Sequence, residues 1–77
     1  MKNYMIKYIL ADDEQQKETE FSIQCESLDK AVEALVADLG KNYNPANVDF
    51  TSITKDGNNL GEDGIYDAEI SLAKHYD

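Results

Sequence analysis

Hydrophobic and polar residues alternate from the start of the chain. Tyr4, Ile6, Tyr8 and Leu10 fall on one face and Met5, Lys7 and Ile9 on the other, a period of two built from β-forming residues. Residues 12–17 are wholly polar and predict a turn. Thr19, Phe21, Ile23 and Cys25 then alternate with Glu18, Glu20, Ser22, Gln24 and Glu26, which gives a strand with one apolar and one acidic face. The two strands and their short polar link predict a hairpin. Over residues 28–39 the period lengthens. Leu28, Ala31, Val32, Leu35, Val36 and Leu39 form one apolar helical stripe. Ser27 is placed to cap its N-terminus, Asp29 lies in the first turn where the helix dipole favours an anion, and Gly40 suits the residue beyond its end.

In residues 42–47, Pro45 holds Asn44 extended in a loop. Residues 48–54 predict a third strand in which Val48 and Phe50 share a face. Ile53 breaks the phase, and a bulge near Ser52 restores it. Residues 55–64, rich in glycine and asparagine, predict a turn region. Residues 65–75 predict a last strand, with Tyr66, Ala68, Ile70 and Leu72 facing one way and Asp67, Glu69 and Ser71 the other. The expected architecture is thus an α+β fold of one domain over residues 1–77. It has two layers in the order β-β-α-β-β, an antiparallel sheet packed on one amphipathic helix, its other face left to solvent or a partner.

Composition narrows the function. Seventy-seven residues suffice for one small core, and a hydrophobic content of 42% is too high for a disordered acidic tail. The net charge is −9 and there is no arginine, which argues against direct binding of nucleic acid, where clustered cations must displace counterions. No apolar run is long enough to span a membrane. Lys7 interrupts the first apolar stretch and acids follow it, so the N-terminus is read as a strand and not a signal peptide. With a lone Cys25 the expectation is a reducing compartment, the cytoplasm, and a complete small reading frame.

Candidate chemistry is sparse. Cys25 and His75 are the only soft nucleophile or metal-ligand candidates, and they fall short of a dyad with an orienting third group or of a structural zinc site. Cys25 lies beside Phe21 and Ile23 and reads as a small core residue. Residues 56–67 echo a calcium loop at Asp56, Asn58 and Gly61, but Leu60 and Asp67 break the pattern. No glycine-rich phosphate cradle leads into the helix. No catalytic set, metal site or cofactor is therefore expected.

The positive signal is the acidity. Glu18, Glu20, Asp67 and Glu69 are expected on the exposed sheet face, with Asp12, Asp13, Glu62 and Asp63 at the loops. Such carboxylates could match a basic protein surface and compete with nucleic acid for it, with tyrosines as anchors. The segments Tyr4-Met5-Ile6-Lys7, Phe21-Ser22-Ile23 and Ser27-Leu28-Asp29-Lys30-Ala31, followed by two closing strands, resemble small phage-encoded inhibitors. Among these are anti-CRISPR proteins with a sheet packed on one helix. The resemblance implies an inhibitor that binds a host or immune-system complex. A monomer or homodimer is expected. Two other readings are a self-association module using Met5 and Ile9, and a cation-binding domain using residues 56–67.

Overall fold

A computed structural model describes all 77 residues. Strand β1 (Lys2–Leu10) is followed by β2 (Thr19–Cys25), helix α1 (Leu28–Leu39), a short 3-10 turn at Pro45–Asn47, β3 (Val48–Lys55), β4 (Asn58–Asn59) and helix α2 (Gly61–Tyr76). The sheet is antiparallel in the order β2-β1-β3-β4. Both neighbours of β1 oppose it, so β2 and β3 run parallel to each other, with α1 as the connection between them.

The α+β class, the antiparallel sheet, the first hairpin and α1 all follow the expected pattern. Ser27 caps α1 as its sequence position suggests, its Oγ accepting from the Lys30 amide at 3.2 Å, and Gly40 closes the helix with φ +98°. The anticipated bulge is present. Lys7 pairs with Ser52 and Tyr8 with Phe50, which leaves Thr51 without a partner on β1. That extra residue lets Phe50 and Ile53 both turn inward and become buried.

The last element departs from expectation. Residues 61–76 are a helix, not a strand, so the layers are one sheet and two helices, and the chain order is β-β-α-β-β-α. Only a two-residue strand, β4, follows β3. Asp56 and Gly57, at φ 50° and 84°, make the tight Asp-Gly turn between them. Asp56 also ties this turn to the start of β1, its carboxylate accepting from the Asn3 amide at 2.8 Å and its own amide donating to the Asn3 carbonyl at 2.7 Å.

The apolar alternation of Tyr66, Ala68, Ile70 and Leu72 fits a helix as two pairs, each one turn apart. Ala68 and Leu72 face the core, while Tyr66 and Ile70 face solvent at 64% and 52% exposure. The core itself is one cluster. Tyr4, Ile6 and Tyr8 of β1 and Phe50 and Ile53 of β3 are covered by Ala31, Val32, Leu35 and Val36 of α1 and by Ala68 and Leu72 of α2.

Helix α2 packs through small residues. Gly64, Ala68 and Ser71 are all buried on its inner side. A Cβ built on Gly64 would lie 2.4 Å from Leu60 Cβ, a backbone-anchored atom with little room to yield. Gly64→Ala is therefore expected to destabilise the fold. Overpacking of this kind costs about 1–3 kcal/mol, which outweighs the gain of up to about 1 kcal/mol from alanine in a helix. Urea unfolding of the variant tests this, and an unchanged or raised midpoint contradicts it.

Candidate interaction surface

The eight carboxylates singled out by sequence do not share one face. Asp12 and Asp13 lie in the turn between β1 and β2 and are engaged within the fold. Asp12 accepts a hydrogen bond from the Tyr43 hydroxyl. Burial, then this contact with Asp12, pushes the Tyr43 phenol up to about 12. Asp13 holds its turn closed by accepting from the amides of Gln15 and Lys17 at 3.1 and 3.3 Å. Glu18 and Glu20 are on the outer side of the sheet, as expected. Glu18 accepts from the Thr51 hydroxyl at 2.8 Å, and Glu20 lies 3.7 Å from the Lys7 ammonium.

The other four stand elsewhere. Asp67 and Glu69 are not on the sheet, and Glu62 and Asp63 are not in a loop, because all four belong to α2. They are exposed, and none forms a salt bridge or a side-chain hydrogen bond. Glu62 and Asp63 suit the first turn of the helix, where the dipole is positive, and Lys74 and His75 suit its last turn. The helical period puts Tyr66 and Ile70 at the centre of the exposed face. Glu62 and Glu69 flank them on one side and Asp63 and Asp67 on the other. Of the five tyrosines, Tyr4 and Tyr8 are buried, Tyr43 and Tyr76 are half-buried and bonded to Asp12 and the Gly40 carbonyl, and only Tyr66 is exposed. Ile70 was legible as a partner of Tyr66 only through their four-residue spacing on a helix.

A groove of about 420 Å³ runs beside this ridge between the two helices, lined by Leu28, Asp29, Asp67, Ile70, Ser71 and Lys74. Asp29 anchors its floor. The Ser71 hydroxyl donates to Asp29 Oδ1 at 2.7 Å, Lys74 Nζ donates to Oδ2 at 3.4 Å, and His75 Nε2 lies 3.2 Å from Oδ1. His75 Nδ1 is also 3.9 Å from Glu33 on α1. The Ser71 bond above all, and then Lys74, holds the Asp29 carboxyl below its ordinary value against the opposing effect of burial.

Serine, histidine and aspartate meet here, but in an order that joins helices and does not activate a nucleophile. Both Ser71 and His75 point to Asp29, and Ser71 is only 6% exposed. Cys25 instead donates to the Ser27 carbonyl at 3.3 Å, and no hydrogen bond links it to His75.

Residues 56–67 form a turn, a short strand and the start of a helix, and no cluster of three potential metal ligands exists. Met5 and Ile9 lie on the outer side of the sheet and are half-buried, with Met5 set between Ser22 and Thr54. No helix is long and apolar enough to cross a membrane. No family model matches the chain, and no match is found among curated proteins or solved structures.

The Asp29 cluster sets a pH dependence. A carboxyl whose folded value is depressed contributes stability that is complete above its unfolded value, near 3.8, and is lost as pH falls through the folded one. Asp29 is 41% exposed, so solvent screens much of the effect. Asp29→Ala leaves the buried Ser71 hydroxyl without its acceptor and is expected to cost about 1–2 kcal/mol at pH 5. The difference from the unaltered chain should shrink by pH 2. Urea unfolding at the two pH values measures it, and a difference independent of pH contradicts the assignment.

Proposed function

We propose that this chain is a non-enzymatic binding protein that docks through the exposed face of α2 onto a basic protein surface and occupies it. The observation that carries this reading is the pairing of two kinds of residue on one rigid helix. Tyr66 and Ile70 are exposed apolar side chains, and four unpaired carboxylates surround them. An acidic coat that served only solubility has no use for a tyrosine and an isoleucine at its centre. An interface has, because aromatic anchors seat in apolar pockets while charges at the rim steer the approach.

The net charge of −9 selects the partner. A surface lined with lysine and arginine, of the kind that holds nucleic acid, is attracted over about a Debye length, roughly 8 Å at physiological salt. Occupation of such a surface excludes nucleic acid by competition and makes the chain an inhibitor of the complex that carries it. The resemblance to small inhibitor proteins supports this through residues 4–7, 21–23 and 27–31 alone, since the last of its two closing strands is helix α2 here. The same charge works against self-association, since a second copy brings a second −9.

Affinity capture from a cognate lysate, with the chain and a Tyr66→Ala, Ile70→Ala variant compared side by side, tests the proposal. Both side chains are exposed, so the variant is expected to keep its stability within about 0.5 kcal/mol. A basic protein should be retained by the unaltered chain, released by raised salt, and bound at least about thirtyfold more weakly by the variant, which corresponds to a hot spot of about 2 kcal/mol. Retention that ignores salt, or that survives the double substitution, overturns the reading.

A further inference from the structure

We propose that the open edge of β2 is a second docking site, one that takes an extended segment of a partner protein with cationic and apolar residues in alternation. It lies on a different element from α2 and does not depend on the reading of that helix. The sheet has two edges, and they are unequal. Strand β4 is two residues long, whereas β2 has seven residues in unbroken register with β1 and no proline.

The outward backbone groups of β2 can be identified. Asn3 turns both its amide and its carbonyl toward Asp56, on the β3 side of β1. Alternation along an antiparallel strand then points the backbone of Lys2, Tyr4, Ile6 and Tyr8 toward β2. Their partners Cys25, Ile23, Phe21 and Thr19 are bonded inward, which leaves the amides and carbonyls of Glu20, Ser22 and Gln24 directed off the edge. No other backbone group or side chain of the chain meets them. Six unpaired groups in a row are a template for one more strand.

Side chains on the two faces of that edge specify the occupant. On the helix side, Phe21, Ile23 and Cys25 are half-buried against the core, so apolar residues at alternate positions of an added strand would extend the same layer. On the outer side, Glu20 and Glu26 are exposed, and Glu20 has only the partly exposed Lys7 beside it. A lysine or arginine on the added strand would sit about 4.5–5.5 Å from its neighbour across the pair, close enough for a favourable cross-strand contact. A second copy fits less well. Antiparallel pairing of β2 with itself about its central residue, Ser22, sets Glu18 opposite Glu26 in both halves, and each copy carries −9.

The test uses a seven-residue peptide of alternating lysine and valine, blocked at both ends, and a control of the same composition with its lysines in one block. Amide spectra and hydrogen exchange of the full chain are followed during titration. The alternating peptide is expected to slow exchange at Glu20, Ser22 and Gln24 by at least about tenfold at saturation. Glu20→Lys should weaken binding by about fivefold, since an attractive cross-strand pair becomes a repulsive one. Ser22→Pro, which removes an outward amide, should abolish the protection, and Tyr66→Ala should leave it unchanged. Glu20→Lys, a change at an exposed position, keeps the test open if Ser22→Pro does not fold. The proposal is overturned if the block peptide acts as strongly as the alternating one or if the changes map to α2. It is equally overturned if the three amides are already protected without peptide in a chain that sediments as a dimer.

Discussion

A sheet with one wet face must cover its other face, and the widths of the elements decide how many helices that takes. Strands lie about 4.8 Å apart and helices pack about 10 Å apart, so one helix covers about two strands. Here the apolar face spans β2, β1 and β3, with Ile6 and Ile53 fully excluded from solvent. Helix α1 packs against β2 and α2 packs against β3, and the two meet over the middle. Without α2 the inward sides of Phe50 and Ile53 would face water. The small residues Gly64, Ala68 and Ser71 follow from this, because α2 must lie close to its neighbours to close the layer.

Polar contacts then fix how the second helix sits. Asp29, in the first turn of α1, gathers Ser71, Lys74 and His75 from α2, and the Tyr76 hydroxyl donates to the Gly40 carbonyl just past the end of α1 at 2.9 Å. These ties pin the C-terminal half of α2 along α1 and set its rotation. Once that rotation is set, Tyr66 and Ile70 have no inward position left to take. Their exposure is a consequence of the same packing that buries Ala68 and Leu72, and it turns a structural helix into a surface with an apolar centre and an acidic rim.

Most of the fold was legible in the residues, and the part that was not has a specific cause. The hairpin strands showed clean alternation, α1 carried both its stripe and its cap, and the phase break at Ile53 announced the bulge. Helix α2 concealed itself in three ways. Tyr66 and Ile70 project outward, so the apolar residues repeat every second position and imitate a strand. Leu60 stands at the cap without a side-chain hydrogen bond, and Gly61 and Gly64 look like turn residues. The opposing clues were electrostatic: Glu62 and Asp63 at one end and Lys74 and His75 at the other match a helix dipole. The candidate surface was accordingly legible by composition but not by place. Four of its acids moved from sheet and loop to one helix face, and Asp12 and Asp13 are taken up by hydrogen bonds to Tyr43 and to their own turn.

The central claim is that residues 61–76 form a helix whose apolar residues divide between core and solvent. Solvent paramagnetic relaxation of the side-chain signals, with a neutral soluble agent, measures it directly. Tyr66 and Ile70 should relax rapidly while Ala68 and Leu72 remain protected. Equal protection of all four, as on one buried face of a strand, would contradict the account.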